Sequence, residues 1–565
     1  MQQRLVECVP NISEGRRKDV IDAVAAVVND VDGVKLLDVD PGKSTNRTVI
    51  TFVGPPETIG EAAFQLIKKA AELIDMRHHR GEHPRMGATD VCPFVPVSGV
   101  TMEECVDIAQ KLGKRVGSEL NIPGYLYESA AQISERQNLA ICRKGQYEGL
   151  AKLETPEGRP DFGPSQWNDQ TKRSGATAIG ARDFLIAYNI NLNTTSSRRA
   201  NAIAFDIRES GRVKREGGPG SPILKDGNGE PQRIPGTLKD VKGIGWYIEE
   251  YGIAQLSLNL TNIRTTPVHV AFDEACARAM ARGIRVTGSE LVGLLPLRVL
   301  TEAADYFLRK QERSLGLSDS EKVKIAVKSL GLDDLTPFDA NKRVIEYMIA
   351  DGESTPLLDM RLRDFADETA SESPAPGGGS VAAYSSTMGI ALATMVANLS
   401  SHKRGWDDRW EEFSTVAEQG VQLQNQLAGL VDADTAAFNQ IMDAYGLPKA
   451  SEEQKSKRYQ AIQDATRHAI EIPMQVARLS VHAMEIAQKM ADVGNPNSIT
   501  DAGVGAMAIR TGVKGAVLNA RVNLADLADE AYVDAIRTEC QALWSSIETA
   551  EANVLSRVDA VLSAE

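Results

Sequence analysis

The sequence predicts an α+β N-terminal module of two similar α/β-sandwich subdomains, followed by an all-α helical-bundle C-terminal module. Three observations carry this expectation. Residues 1–333 alternate β-branched runs with segments of helical periodicity, in two groups of similar length and element order. From Leu357 onward the strand pattern all but disappears and Ala-rich helical stretches take over. At 565 residues the chain also exceeds what one core holds, so two to four domains are expected. The boundaries fall at 1–183 and 184–333 for the two subdomains, 334–356 for a linker and 357–565 for the helical module.

The elements follow in chain order. Residues 5–9, 34–39 and 48–53 are rich in β-branched residues and bounded by Gly, Pro and Asn, the marks of strands. Residues 58–74 carry a helical repeat, 91–97 read as a further strand and 102–120 as a helix. The second group places strands near 184–192, 243–248, 253–260 and 284–291, with helices near 196–209, 268–282 and 296–311. Between them, eleven of the 26 residues in 211–236 are Gly or Pro, which predicts a surface loop without regular structure. Beyond Leu357 the strong interruptions are Pro374–Gly379 and Gly494–Asn497.

Composition narrows the function classes. The chain is 42% apolar, 25% charged and 5% aromatic, with a formal net charge of -14. That acidity disfavours nucleic acid as a partner, yet leaves room for a local basic site that takes small anions. Six cysteines (Cys8, Cys92, Cys105, Cys142, Cys276, Cys540) show no CxxC spacing and suit a reducing compartment. No run of eighteen apolar residues occurs, and MQQRLVECVPN has no apolar core. A cytoplasmic protein with no membrane partner is expected.

The densest chemistry lies in RHHRGEHPRMGATDVCPF (77–94). Three of the seven histidines, His78, His79 and His83, fall within six positions. Histidine titrates near neutrality, so it is the usual proton carrier there. His79 and His83 have the i, i+4 spacing of a zinc helix, but Gly81 and Pro84 break the helix and the glutamate is misplaced for HExxH, so no metal is expected. A catalytic or anion-binding loop remains, with His83 its best candidate, stiffened by Pro84 and leading into a strand.

At this point the residues carry a resemblance. ECVPNISEG (7–15), LLDVDPGKSTNRTVITFVGPPE (36–57), GEHPRMGATDVCPFVPV (81–97), DFGPS (161–165), FLIAYNINL (184–192), GIGWY (243–247) and GSELVGLLP (288–296) resemble the formiminotransferase domain of the formimidoyltransferase-cyclodeaminase family. SPAPGGGSVAA (373–383) and LVDAD (430–434) continue it into the helical module. The resemblance implies transfer of a formimino group from N-formimino-L-glutamate to N5 of tetrahydrofolate, a step of histidine breakdown, then closure to 5,10-methenyltetrahydrofolate with release of ammonia. The family's catalytic histidine maps onto His83. N5 sheds a proton as it attacks the amidine carbon and the glutamate nitrogen gains one, and a single group titrating near neutrality serves both. Asp40 is the expected orienting carboxylate and Asp38 the alternative. Arg47 with its neighbour Asn46, and Arg85, are expected to bind the substrates' carboxylates, which suit arginine's forked donors. The family's folate-binding segment maps onto Gly163, Pro164, Ser165 and onward to Gly175. Here the chain departs from the family pattern with the longer polar run QWNDQTKRSGA.

In the helical module, LVDAD offers Asp432 and Asp434. At about 100° per residue, Leu423, Leu427, Leu430, Val431, Phe438, Ile441 and Tyr445 lie within roughly 60° of Asp434, whereas Asp432 faces the polar side with Asn439 and Asp443. A carboxylate on an apolar stripe is either paired or functional. The family's cyclodeaminase aspartate maps onto Asp434 as well. Gly377, Gly378, Gly379 and Ser380 open a helix of small residues, whose free N–H groups suit an anionic ligand or whose small side chains suit a close packing seam. Thr500, Asp501, Asn519 and Asn523 lie in similar regions without an assigned role. The resemblance further implies tetrahydrofolate, possible to take with a polyglutamate tail, as co-substrate, no metal, and a dimer-based homo-oligomer of up to eight subunits. Two other readings are formyl transfer from N-formylglutamate and a folate-binding scaffold with one inactive module.

Overall fold

The computed structural model describes residues 4–43, 45–81, 84–218, 220–350, 356–373 and 375–563. By its internal contacts the chain forms two units, one of residues 1–299 and 330–349, the other of 300–329 and 350–565. The first carries the sheets, and the second is helical throughout the described residues.

The first half of the sheet-bearing unit runs β1 (Leu5–Cys8), β2 (Asn11–Ile12), α1 (Lys18–Ala26), β3 (Lys35–Gly42), β4 (Arg47–Gly54), α2 (Ile59–Leu73), β5 (Thr89–Ser98), α3 (Met102–Glu119), β6 (Gly124–Glu128), α4 (Leu139–Cys142), α5 (Asp169–Ser174) and β7 (Thr177–Ala181). These strands make one seven-stranded mixed sheet. β1 and β2 both pair with β4 and β5, so they share one position in the sheet, split at Val9–Pro10 where proline offers no N–H. β5, β7 and β6 are parallel and the other pairings antiparallel. Alternation sends Val6, Cys8, Ile50, Phe52, Cys92 and Phe94 into a core with helix residues such as Ala63, Leu66, Leu112 and Val116. It sends Glu7 and Arg47 to the opposite face. α3 begins where Thr101 and Glu104 cap each other reciprocally. β6 and β7 have no counterpart in the sequence reading. TAIGA is short, small and without alternation, and it becomes a strand because β5 and β6 flank it.

The second half runs β8 (Ile186–Leu192), α6 (Ser197–Ile207), β9 (Arg212–Val213), β10 (Arg233–Ile234), β11 (Val241–Ile248), β12 (Ile253–Leu260), α7 (Val268–Met280), β13 (Val286–Val292), α8 (Leu297–Lys310), α9 (Asp319–Leu330) and α10 (Ile345–Ala350). Its four-stranded sheet, ordered β11-β12-β8-β13, is wholly antiparallel, so the two halves share helix-on-sheet layering but not sheet topology. Two sequence expectations are corrected here. The Gly/Pro-rich 211–236 is an exposed ribbon, β9 paired to β10 and extended by the bonds Lys214 N–H to Gln232 O (2.8 Å) and Leu224 N–H to Lys214 O (2.9 Å). Backbone pairing orders it, with polar side chains such as Asp226 and Gln232 bonding to the ribbon backbone, and none of this leaves an apolar period in the sequence. Residues 334–350 are not a free linker. Asp334 accepts from Asn191 and Thr287, Val344 bridges to Leu295, and Glu346 accepts from the Leu297 N–H. Residues 351–355 lie outside the described residues.

The helical unit comprises most of α8 and α9 with α11 (Leu362–Thr369), α12 (Gly378–Ser401), α13 (Trp410–Gly446), α14 (Glu452–Val493), α15 (Ile499–Asn523) and α16 (Glu530–Leu562). α12 packs against α13, α14 and α15 and is the centre of the bundle. It is long and apolar enough, by length and composition, to cross a membrane, but most of that stretch is buried inside the unit. Small residues set its seams: the Gly389 Cα faces the Gly505 carbonyl, and Ser480 donates to Ser386 (2.6 Å). The packing seam proposed for this helix is therefore present.

Candidate active sites

In the sheet-bearing unit, the loop from 76 to 88 is held from two sides. On one side, the Asn46 amide donates to Arg80 O (2.8 Å) and accepts from Gly15 N–H (3.0 Å), with Asn46 itself at φ +48°. On the other, Ala88 N–H donates to Ser174 O (2.8 Å), and Gly87 bridges to Gly175. Gly175 stands at φ +68°, and a Cβ there would meet Met86 O at 2.2 Å, so a side chain would push this crossing apart. His83 and Glu82 lie outside the described residues.

The described residues of the loop are largely consumed in holding it. His79 is 7% exposed. Arg85 Nε–H donates to its Nδ1 (3.3 Å), which leaves the proton on Nε2 to donate to Asn46 O (2.9 Å). Burial holds the His79 pKa below its ordinary value, and the Nδ1 that accepts from Arg85 marks it as a neutral structural histidine. Arg85, also 7% exposed, forks onto Glu148 with bonds of 2.9 and 2.7 Å. The expected substrate fork of Arg85 is thus filled by a protein carboxylate, and Asn46 supports the backbone. Arg47 donates to Asn11, and Arg143 donates to the buried Asp90. The Nε of Arg47 and that of Arg143 are each buried with no hydrogen-bond partner among the described residues. Asp40 and Asp38 are exposed on β3, the edge strand, and Asp40 is close enough for its charge to act on Arg47.

Pro84 reaches the wall of a cleft of about 990 Å³ between the two halves of this unit. Arg143, Lys144, Arg182 and Lys242 give the cleft four cations, set against Glu128, Asp183 and Asp240. None of the four is singled out by the sequence, because the Arg143–Lys144 pair, Arg182 and Lys242 come from three separate stretches of the chain and no spacing links them. Gly163 and Ser165 are exposed and Pro164 half-buried, on the turn ahead of α5, and none of the three lines this cleft. The link from that segment to the loop is its end: Tyr147 N–H donates to Arg85 O (2.8 Å), and Tyr147 packs edge-on to Trp167 at 5.6 Å. Among the described residues no group of three His, Cys, Asp or Glu side chains could hold a metal ion.

In the helical unit, the start of α12 meets α13 and α15. Asp434 is half-buried. Its carboxylate accepts from Ser380 Oγ (3.3 Å) and from the Ser380 backbone N–H. The anion received at this helix start is therefore a side chain of the protein, where the sequence suggested a ligand. A Cβ on Gly379 would stand 2.1 Å from Asp434 Oδ1, so only glycine admits the carboxylate. Burial pushes the Asp434 carboxyl above the usual carboxylate range, against the lowering effect of the Ser380 bonds. Asp432, assigned to the polar side, accepts from the N–H groups of Leu357 (2.9 Å) and Leu358 (3.4 Å). It ties down the chain entering the unit, so the two aspartates divide into an anchor and a group with a perturbed proton affinity.

The match to known families follows the same division. The N-terminal subdomain of the formiminotransferase domain matches residues 5–182, the formiminotransferase domain residues 187–350, and the formiminotransferase-cyclodeaminase family residues 361–542. Formimidoyltransferase-cyclodeaminase of Rattus norvegicus is 43% identical over 559 residues, 99% of each chain. The chain belongs to the formimidoyltransferase-cyclodeaminase family. Each half of this family architecture also has shorter relatives. Glutamate formimidoyltransferase of Streptococcus pyogenes is 42% identical over 310 residues, 55% of this chain and 95% of its own. Methenyltetrahydrofolate cyclohydrolase of Methylorubrum extorquens is 36% identical over 182 residues, 32% of this chain and 88% of its own.

Proposed function

We propose that this chain carries out two successive steps on one folate: transfer of the formimino group of N-formimino-L-glutamate to N5 of tetrahydrofolate, then cyclisation to 5,10-methenyltetrahydrofolate with loss of ammonia. The observation that carries the reading is the near-complete match to a bifunctional relative, over modules that each also match a separate enzyme. In the first step the N5–C bond forms and the C–N bond to glutamate breaks. His83 takes the N5 proton and returns one to the leaving nitrogen, while Asp40 orients it. The cleft cations fit the carboxylates of both substrates. In the second step N10 attacks the amidine carbon. Asp434, with its raised proton affinity, accepts the N10 proton and passes it to the departing nitrogen. The co-substrate is a tetrahydrofolate with or without added glutamates, the setting is cytoplasmic histidine breakdown, and the working form is a homo-oligomer. The test is one coupled assay: formiminoglutamate mixed with tetrahydrofolate should yield methenyl-folate absorbance and ammonia in equal amounts. Methenyl- or formyl-folate formed from supplied N-formylglutamate in place of formiminoglutamate, with no ammonia, would point to formyl transfer, and binding without product to a scaffold.

A second reading of the helical unit is favoured by the relative named for cyclohydrolase activity. There, water attacks the methenyl carbon and gives one proton to Asp434, the bond from that carbon to N5 opens as Asp434 returns that proton to N5, and the remaining hydroxyl proton is released to solvent. Decay of supplied methenyltetrahydrofolate to the 10-formyl form, lost on Asp434→Asn, would support it.

A further inference from the structure

The start of α12 is flanked from two sides, and only one side has been given a task. Asp434 on α13 lies against Gly379. Asn519 on α15 lies against Gly378, with its Nδ2 at 3.0 Å and Oδ1 at 3.5 Å from where a Cβ would stand. A carboxyl and an amide from two different helices therefore border the same Gly–Gly peptide. Both glycines lack the side chain that would separate them.

The orientation of the amide is set by its own helix. Asn519 Nδ2–H donates to Gly515 O (2.8 Å), so the amide nitrogen is turned back along α15 and Oδ1 is turned away from that bond. Oδ1 accepts no hydrogen bond among the described residues, and it is not sealed from solvent. The other polar group at this point, Ser380 Oγ, shares its one proton between Val431 O (2.9 Å) and Asp434 Oδ2 (3.3 Å). Asn519 thus offers an acceptor oxygen at Gly378, one residue along α12 from the Gly379 that receives Asp434.

We propose that Asn519 is a substrate-binding residue of the cyclodeaminase site, its Oδ1 accepting a hydrogen bond from the formimino nitrogen that departs as ammonia. This rests on the function proposed above for the helical unit. The substrate enters as an amidinium, whose nitrogen carries two N–H donors. One faces Asp434 and the other Oδ1 of Asn519. As N10 bonds to the amidine carbon, Asp434 takes the N10 proton. It then gives a proton to the nitrogen, whose bond to carbon breaks with the electron pair leaving on nitrogen. Ammonia departs, and the positive charge stays on the methenyl bridge. An acceptor at Asn519 holds the nitrogen by its N–H and keeps its lone pair turned toward the Asp434 proton.

The test uses the full-length protein with supplied 5-formiminotetrahydrofolate and an ammonia readout. Asn519→Leu removes the acceptor and should lower kcat about a hundredfold, the scale of losing one preorganised hydrogen bond at a reacting group, with formimino transfer unchanged. Asn519→Asp keeps an acceptor but loses the bond to Gly515 O. It should stay within about tenfold of wild type, with the limb of the pH profile due to Asp434 moved to higher pH by the new like charge. Wild-type ammonia release from Asn519→Leu overturns the inference, as does an Asn519→Asp variant as impaired as Leu with an unmoved profile. No ammonia from the wild-type protein overturns instead the function proposed for the unit.

Discussion

The loop around residues 76–88 and the start of α12, where the proposed proton-transfer groups His83 and Asp434 belong, are built by opposite means. In the loop, polar side chains hold backbone: Asn46, His79 and Arg85 spend their hydrogen bonds on Gly15, Arg80, each other and Glu148. In the bundle, backbone holds a side chain: Gly379 and the Ser380 N–H receive the Asp434 carboxylate directly. An irregular loop leaves many N–H and C=O groups without helix or sheet partners, so nearby polar side chains are recruited to satisfy them. A helix satisfies its own backbone and has only its first N–H groups to spare. A polar cluster in a loop is therefore weak evidence for which member acts, whereas one carboxylate at a helix start is strong evidence.

The largest expected effects separate the two sites. His83→Ala should cut formimino transfer by about a thousandfold or more while cyclisation of supplied 5-formiminotetrahydrofolate continues, and Asp434→Asn should do the reverse. Loss of both activities in either folded variant would break the comparison. Next comes the slot itself. Gly379→Ala sets a methyl against Asp434 Oδ1 and should lower ammonia release by about ten- to a hundredfold, leaving transfer intact. Wild-type release would show that the carboxylate has room to move.

A smaller effect concerns Glu7, on the face of β1 opposite the helix core. It is 5% exposed, and burial pushes its carboxyl from 4.5 up to about 7, with Arg182 opposing and Glu346 adding to the rise. A carboxyl whose folded pKa is raised favours the folded state when protonated. Its contribution is present below pH 4.5 and is lost as pH rises through 7. Glu7→Gln should therefore leave stability unchanged at pH 4 and raise it above pH 7 by up to about 3 kcal/mol, at 1.36 kcal/mol per unit. Denaturant unfolding at the two pH values checks it. The smallest effect is expected at the exposed side of the loop's ion pair. Glu148→Gln, in a pair whose acid is 61% exposed, should cost no more than about 1 kcal/mol and a few-fold in transfer KM.

Much of the fold was legible in the sequence. The strands at β3, β4, β5, β8, β11 and β12, the helix α3 and the change to helix beyond Leu357 follow from local pattern, because alternation and period are written in neighbouring residues. β6 and β7 were not legible, since their pairing partners lie far away in the chain. The ribbon at 211–236 was missed because backbone bonds between Gly- and Pro-rich segments leave no side-chain period.

The sites divide in the same way. The place of Asp434 on an apolar stripe was fixed by residues within three helical turns on either side, so periodicity alone picked it over Asp432. The sequence also marked 77–94 as the chemical loop. Tertiary structure alone decided that Arg85 is spoken for by Glu148, that His79 is a neutral strut, that Arg143, Lys144, Arg182 and Lys242 share one cleft, and that Asn519 and Asp434 come to adjacent glycines of α12. The physical reason is range. Secondary structure and facial pattern are set by neighbours a few residues apart, whereas burial, charge pairing and the convergence of donors depend on residues tens to hundreds of positions away, which meet only when the chain is folded.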